Sequence, residues 1–149
     1  MACTNKTADK IPDISFISLD VGPNNCSLSR ELNITGTFES ESFNGKAVIS
    51  YVVDSADAQH IIRLGETDVL KAEGHSNKKH FKFSINSIDV QNISRSMLLN
   101  VGLLKLDLLE RNNKSAVPTK EKLTVNIVTQ IKKNQQGELI RTFFNPLEN

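Results

Sequence analysis

The side chains able to do chemistry in this chain are few and scattered. Its three histidines, His60, His75 and His80, fit no metal-ligand spacing such as H-x-x-x-H or H-E-x-x-H. Lys78 and Lys79 lie between His75 and His80, and their charge opposes a bound cation. Zinc would also want cysteine pairs at C-x-x-C spacing. The two cysteines, Cys3 and Cys26, stand far apart instead, and a reducing compartment keeps both as thiols. Cys26 can act as a nucleophile only with a histidine brought to it in space, and nothing local activates it. There is no G-x-S-x-G elbow, Walker loop or dinucleotide fingerprint. Asp54, Asp57 and Asp68 follow short apolar segments and can converge as calcium ligands. Calcium needs about six oxygens, however, and no loop holds a D-x-D cluster. The expectation is a protein that is not an enzyme and carries no cofactor and no metal.

Charge excludes further classes. Lys and Arg total 18 against 17 Asp and Glu, so no general attraction to phosphate backbones or anionic bilayers is expected. Short basic runs occur at Lys78-Lys79 with Lys82, at Lys120 with Lys122, and at Lys132-Lys133. Single-strand readout adds exposed aromatic platforms to such runs. Here the Phe residues and Tyr51 fall mostly on apolar faces, so nucleic acid is not an expected partner. Asn occurs fifteen times, and Asn5, Asn25, Asn33, Asn92 and Asn113 each head an N-x-Ser/Thr pattern. Residues 1–10 have no apolar h-region, so these patterns read as chance in an Asn-rich chain. Apolar runs are shorter than the ~20 residues of a membrane span, and myristoylation and prenylation motifs are lacking. A cytoplasmic, unanchored protein is expected.

The elements that would position any site are strands. Residues 1–12 are polar and aperiodic, and are expected to form a flexible tail ahead of one domain spanning 13–149. Ile14 to Val21 stops at a Gly22-Pro23-Asn24-Asn25 turn. Leu32, Ile34, Gly36 and Phe38 alternate with Asn33, Thr35, Thr37 and Glu39, a period of two that no helix keeps. Asn44-Gly45 forms a turn, and Ala47, Ile49, Tyr51 and Val53 line the next strand, with Val48 and Val52 on its other face. Ile61 to Leu64 and Val69 to Ala72 read as one bent or bulged strand or two edges, broken by Gly65. Phe81, Phe83 and Ile85 alternate again, and Asn86 to Arg95 is a turn of helix or an ordered loop. Met97 to Glu110, the most apolar run, reads as a long central strand, with a buried helix as the rival. Leu123, Val125, Ile127 and Ile131 make another strand, and Leu139 to Phe144 the last.

The sum is eight or nine strands and no crossover helix of the length a parallel sheet needs. An all-β antiparallel β-sandwich, immunoglobulin-like or C2-like in shape, is expected. Fold does not carry function, so two binding features are weighed. The two-sided apolar segments Val48–Val53 and Met97–Leu109 form either a packed core or the walls of a lipid or prenyl pocket between sheets. In Phe143-Phe144-Asn145-Pro146-Leu147, adjacent Phe side chains on a strand point to opposite faces, so one is core and the other is covered or exposed. Phe143, Phe144 and Leu147 are therefore the candidate protein-binding residues, and a sheet edge is the other candidate surface. The leading expectation is an adaptor or assembly subunit with a protein partner. An intracellular lipid carrier and a C2-like peripheral membrane module follow it.

Overall fold

A computed structural model describes residues 14–41, 43–54, 59–68, 77–111 and 118–147. The expected tail at residues 1–12 and the segment Val69 to Ala72 lie outside these described residues, as do Cys3, Asn5, Asp57, His75 and Asn113. The described residues form nine strands: β1 (Ser15–Gly22), β2 (Cys26–Ser27), β3 (Leu32–Glu39), β4 (Gly45–Asp54), β5 (Gln59–Glu66), β6 (Lys78–Ile85), β7 (Gly102–Arg111), β8 (Pro118–Lys133) and β9 (Leu139–Phe144). A single helical turn, α1 (Arg95–Leu98), precedes β7. The fold is all-β, and every strand pair is antiparallel.

Two sheets form, in the orders β1-β3-β6 and β2-β9-β8-β7-β4-β5. Their inward rows follow the alternation in the sequence. On β3, Leu32, Ile34, Gly36 and Phe38 are buried; on β6, Phe81 and Phe83 are buried beside them. The six-stranded sheet contributes Ala47, Ile49, Leu104, Leu106, Leu108, Ile127 and Phe143 to the same apolar cluster, so both sheets share one core. Phe38 packs tilted against Phe16 and edge-on against Phe43, each at 5.5 Å between ring centres. A second cluster closes one end, where Leu28, Ile93, Leu98, Ile131 and Leu139 meet Tyr51 and Val53.

Met97 to Glu110 is not one strand. Ser94 caps α1 by accepting a hydrogen bond from the Met97 amide, and Leu98 is driven into the end cluster. The chain becomes extended only at Gly102, over which the Tyr51 ring lies; a β-carbon there would stand 2.3 Å from the Tyr51 hydroxyl. Ile61 to Leu64 belongs to β5, which stays paired to β4 through a bulge opposite Ile49/Ser50. Gly65 takes the extra turn at φ 151°, and a β-carbon there would also press on the Phe83 ring at 2.8 Å.

Candidate functional site

Phe143 and Phe144 part as adjacent strand residues must. Phe143 is 4% exposed and belongs to the shared core, while Phe144 is 51% exposed on the outer face of the six-stranded sheet. Asn24 holds β9 in register by accepting the Phe143 amide at 2.8 Å. Beyond the strand, Asn145 donates to the Leu19 carbonyl and accepts from the Leu147 amide at 2.9 Å, fixing a turn that leaves Leu147 45% exposed. Phe144 and Leu147 are thus on the surface, and Phe143 is not.

Register carries the outer apolar surface much further than those two residues. Phe144 lies opposite Val128, Val128 opposite Leu103, Leu103 opposite Val52, and Val52 opposite Ile61. One row of five apolar side chains therefore crosses β9, β8, β7, β4 and β5 at right angles to the strands. At the ~4.8 Å spacing of paired strands the row is roughly 19 Å long. Val128 is 43% exposed and Ile61 is 63% exposed, whereas Val52 is shielded by its neighbours. The flanking positions paired in register are polar. Ser50, Lys105, Asn126 and Arg63 are aligned on one side, and Gln130 with Thr142 on the other. A shallow depression of about 300 Å³ lies along it, lined by Val52, Ile61, Leu103 and the polar residues beside them. Sequence reasoning pointed to Phe144 but missed Val128, Leu103 and Ile61, because a row across strands is made by register and has no local pattern.

Several ions near this face are mutually engaged. Glu66 accepts from Lys46 at 3.0 Å and pairs with Arg63. The Lys46 hydrogen bond, with the nearby positive charges, holds the Glu66 carboxyl below its ordinary range. Thr124 donates to Asp107 at 2.6 Å and contacts Glu121.

The inner face of β9 holds a charge that the sequence reading did not single out. Arg141 sits between Leu139 and Phe143 on the core side and is fully buried. Its guanidinium donates to the carbonyls of Pro23 (3.2 Å), Leu28 (3.0 Å), Arg30 (2.9 Å) and Glu31, and lies 4.9 Å over the Phe143 ring. Burial pushes its pKa down from the usual value, yet four carbonyls satisfy the cation. It therefore ties the loop after β1 to β9. Alternation along Leu139-Ile140-Arg141-Thr142-Phe143 was the available signal. Across the inner face, the buried Tyr51 hydroxyl finds no hydrogen-bond partner among the described residues, and burial pushes it up to about 12 despite the charge on Arg141.

Among the described residues, no group of three or more His, Cys, Asp or Glu side chains stands ready to hold a metal ion. His80 is exposed and shares a 2.9 Å hydrogen bond with Thr37. Cys26 is half-buried, with its thiol 3.5 Å from the Pro23 carbonyl. No helix among the described residues is long and apolar enough to cross a membrane. Comparison with protein-family models gives no match to this chain, and comparison with curated proteins gives none either.

Proposed function

We propose that this chain is a non-enzymatic protein-binding module, an adaptor or assembly subunit, whose docking face is the outer apolar row of the six-stranded sheet. The observation that carries this reading is the alignment of Phe144, Val128, Leu103, Val52 and Ile61 across five strands. Single exposed apolar residues are ordinary on any surface; a contiguous strip rimmed by polar rows is the composition of an interface centre. Phe144 is the natural anchor, a rigid aromatic held in place by a strand whose other face is locked into the core. The two sheets around a shared core suit a sandwich of immunoglobulin-like or C2-like shape as the scaffold, acting in the cytoplasm as one domain. Docking is preferred to lipid carriage because the inward side chains of β4 and β7 pack into the core cluster.

The test is a pair of variants on one strand. Phe144→Ser is expected to unfold at the same denaturant concentration as the parent and to lose the protein that co-purifies with it. Leu139→Ala, in the end cluster of the same strand, is expected to lower stability while the surviving folded fraction keeps the partner. Retention of the partner by a folded Phe144→Ser, Val128→Ser double variant would overturn the reading.

A further inference from the structure

The row ends at β5, and β5 is the last strand of its sheet. Among the described residues it pairs with β4 alone. An edge strand aims alternate N–H and C=O groups away from its one neighbour, and these recognise another extended backbone. β5 is eight residues long, and its regular part before the bulge, residues 59–63, is enough for a short ladder. The open side is also concave. A groove of about 400 Å³ runs beside it, walled by His60, Ile61, Ile62 and Arg63 on the strand and by Asp89, Asn92 and Ile93 on the facing loop. That loop is anchored at Ile88 and closed by an internal turn. The Ile88 amide donates to the Ser29 carbonyl at 3.1 Å, and the Ile93 amide to the Val90 carbonyl at 3.1 Å. Asp89 accepts from the Gln91 amide at 3.1 Å, and the side chains of Ile88 and Ile93 are buried. The groove is thus formed in advance of any ligand, which lowers the entropy cost of filling it.

We propose that this groove takes an extended peptide segment as an antiparallel strand added to β5, with an acidic–apolar–apolar core read from N- to C-terminus. The inference deepens the protein-binding reading and rests on it, but it concerns the edge and not the face. Every strand pair among the described residues is antiparallel, and that pairing fixes the chemistry of three consecutive partner residues. The one opposite Ile61 extends the outer row and is apolar. The next, opposite Ile62, points inward beside Ile93 and is apolar too. The one opposite Arg63 meets a guanidinium that is 62% exposed and only partly engaged by Glu66. An acidic side chain matches it, since a guanidinium carries five donors.

The probe is a capped eight-residue peptide with a central glutamate–valine–isoleucine flanked by threonine and lysine, titrated into the full chain and followed by amide NMR shifts. Shifts confined to residues 59–66 and 89–93 are expected. An analogue N-methylated at the alternate amides that would face β5 is expected to shift nothing, because it cannot complete the ladder. Arg63→Glu is expected to weaken the peptide roughly tenfold, and a lysine-for-glutamate peptide to recover that loss. Absence of shifts at millimolar peptide overturns the proposal. So do equal shifts from the methylated analogue, indifference to Arg63→Glu, or shifts only around Phe144 and Val128. That last outcome leaves the face reading standing. Conversely, a folded Phe144→Ser, Val128→Ser double variant that keeps its partner removes the face reading and leaves this titration unaffected.

Discussion

Adjacent residues on β9 meet opposite fates, and their substitutions separate stability from binding. Phe143→Ala empties a site in the shared core and is expected to cost about 3–5 kcal/mol, measured by urea unfolding. Phe144→Ala removes a solvent-facing ring, and its expected effect on the same curve is within about 0.5 kcal/mol. Arg141 tests geometry over charge. Four carbonyls converge on a planar fork that a lysine ammonium cannot reproduce, so Arg141→Lys should destabilise nearly as much as Arg141→Met. Tyr51 has a hydroxyl desolvated without a partner, so Tyr51→Phe is expected to stabilise the fold by about 1 kcal/mol near neutrality. Its pH dependence has a definite sign. The folded chain holds the phenol proton to about 12, whereas the unfolded chain releases it near 10. The stability tied to the neutral phenol is complete below pH 10 and is lost as pH climbs to about 12, up to roughly 2–3 kcal/mol. Urea curves for the parent and Tyr51→Phe should therefore diverge across that window. Parallel curves would show that the phenol ionises without opposing the fold.

Strands β3, β6, β9 and β8 from Leu123 onward were legible in the sequence because each has one dry face, and a dry face imposes alternation on local residue order; β8 in fact begins at Pro118, in a charged stretch read as loop. β7 was blurred by its position. Leu103 and Leu109 lie on its outer side and Leu104, Leu106 and Leu108 on its inner side, so the apolar run hides the period. Its start was misplaced into α1 because Met97, Leu98 and Leu99 look continuous with it. Ser94 as a helix cap was the signal that separates them. The pair at Phe143-Phe144 could be divided into one inner and one outer residue, but which was which, and what lay beside the outer one, depended on register. Register across five strands comes from pairings distant in sequence, and no local window contains it. The edge strand makes its own prediction. β5 has one paired neighbour among the described residues and carries a bulge, so its amides should exchange with solvent faster than those of β7, which is paired on both sides. Gly65→Ala should widen the gap, because a β-carbon at φ 151° is strained and meets the Phe83 ring. Hydrogen exchange with mass readout on peptides from β5 and β7 measures both effects.

The whole molecule divides its interior in two, and the division predicts how it comes apart. The larger cluster draws residues from both sheets, and strands of each sheet fix their position through it. The smaller cluster lies at one end and draws on Leu28 after β2, Ile93 and Leu98 around α1, and Ile131 and Leu139 at the far ends of β8 and β9. Its covering pieces are a four-residue helix and irregular chain, held by few ladder bonds. Two of those pieces are nonetheless anchored to the sheet. Arg141 fastens the chain from Pro23 to Glu31, and Arg95 of α1 donates to the Gly137 carbonyl in the β8–β9 turn. Truncations in the two clusters should then fail differently. Leu106→Ala opens a cavity at the junction of the sheets and should lower global stability by about 2–5 kcal/mol, with exchange quickening everywhere together. Leu98→Ala removes similar volume where the cover is thin. Its effect should be concentrated in residues 86–101 and 26–31, which would exchange through a local opening while β7 and β8 keep their protection. Uniform loss of protection in Leu98→Ala would mean that the two clusters act as one cooperative unit, and that the end cap is integral to the β framework.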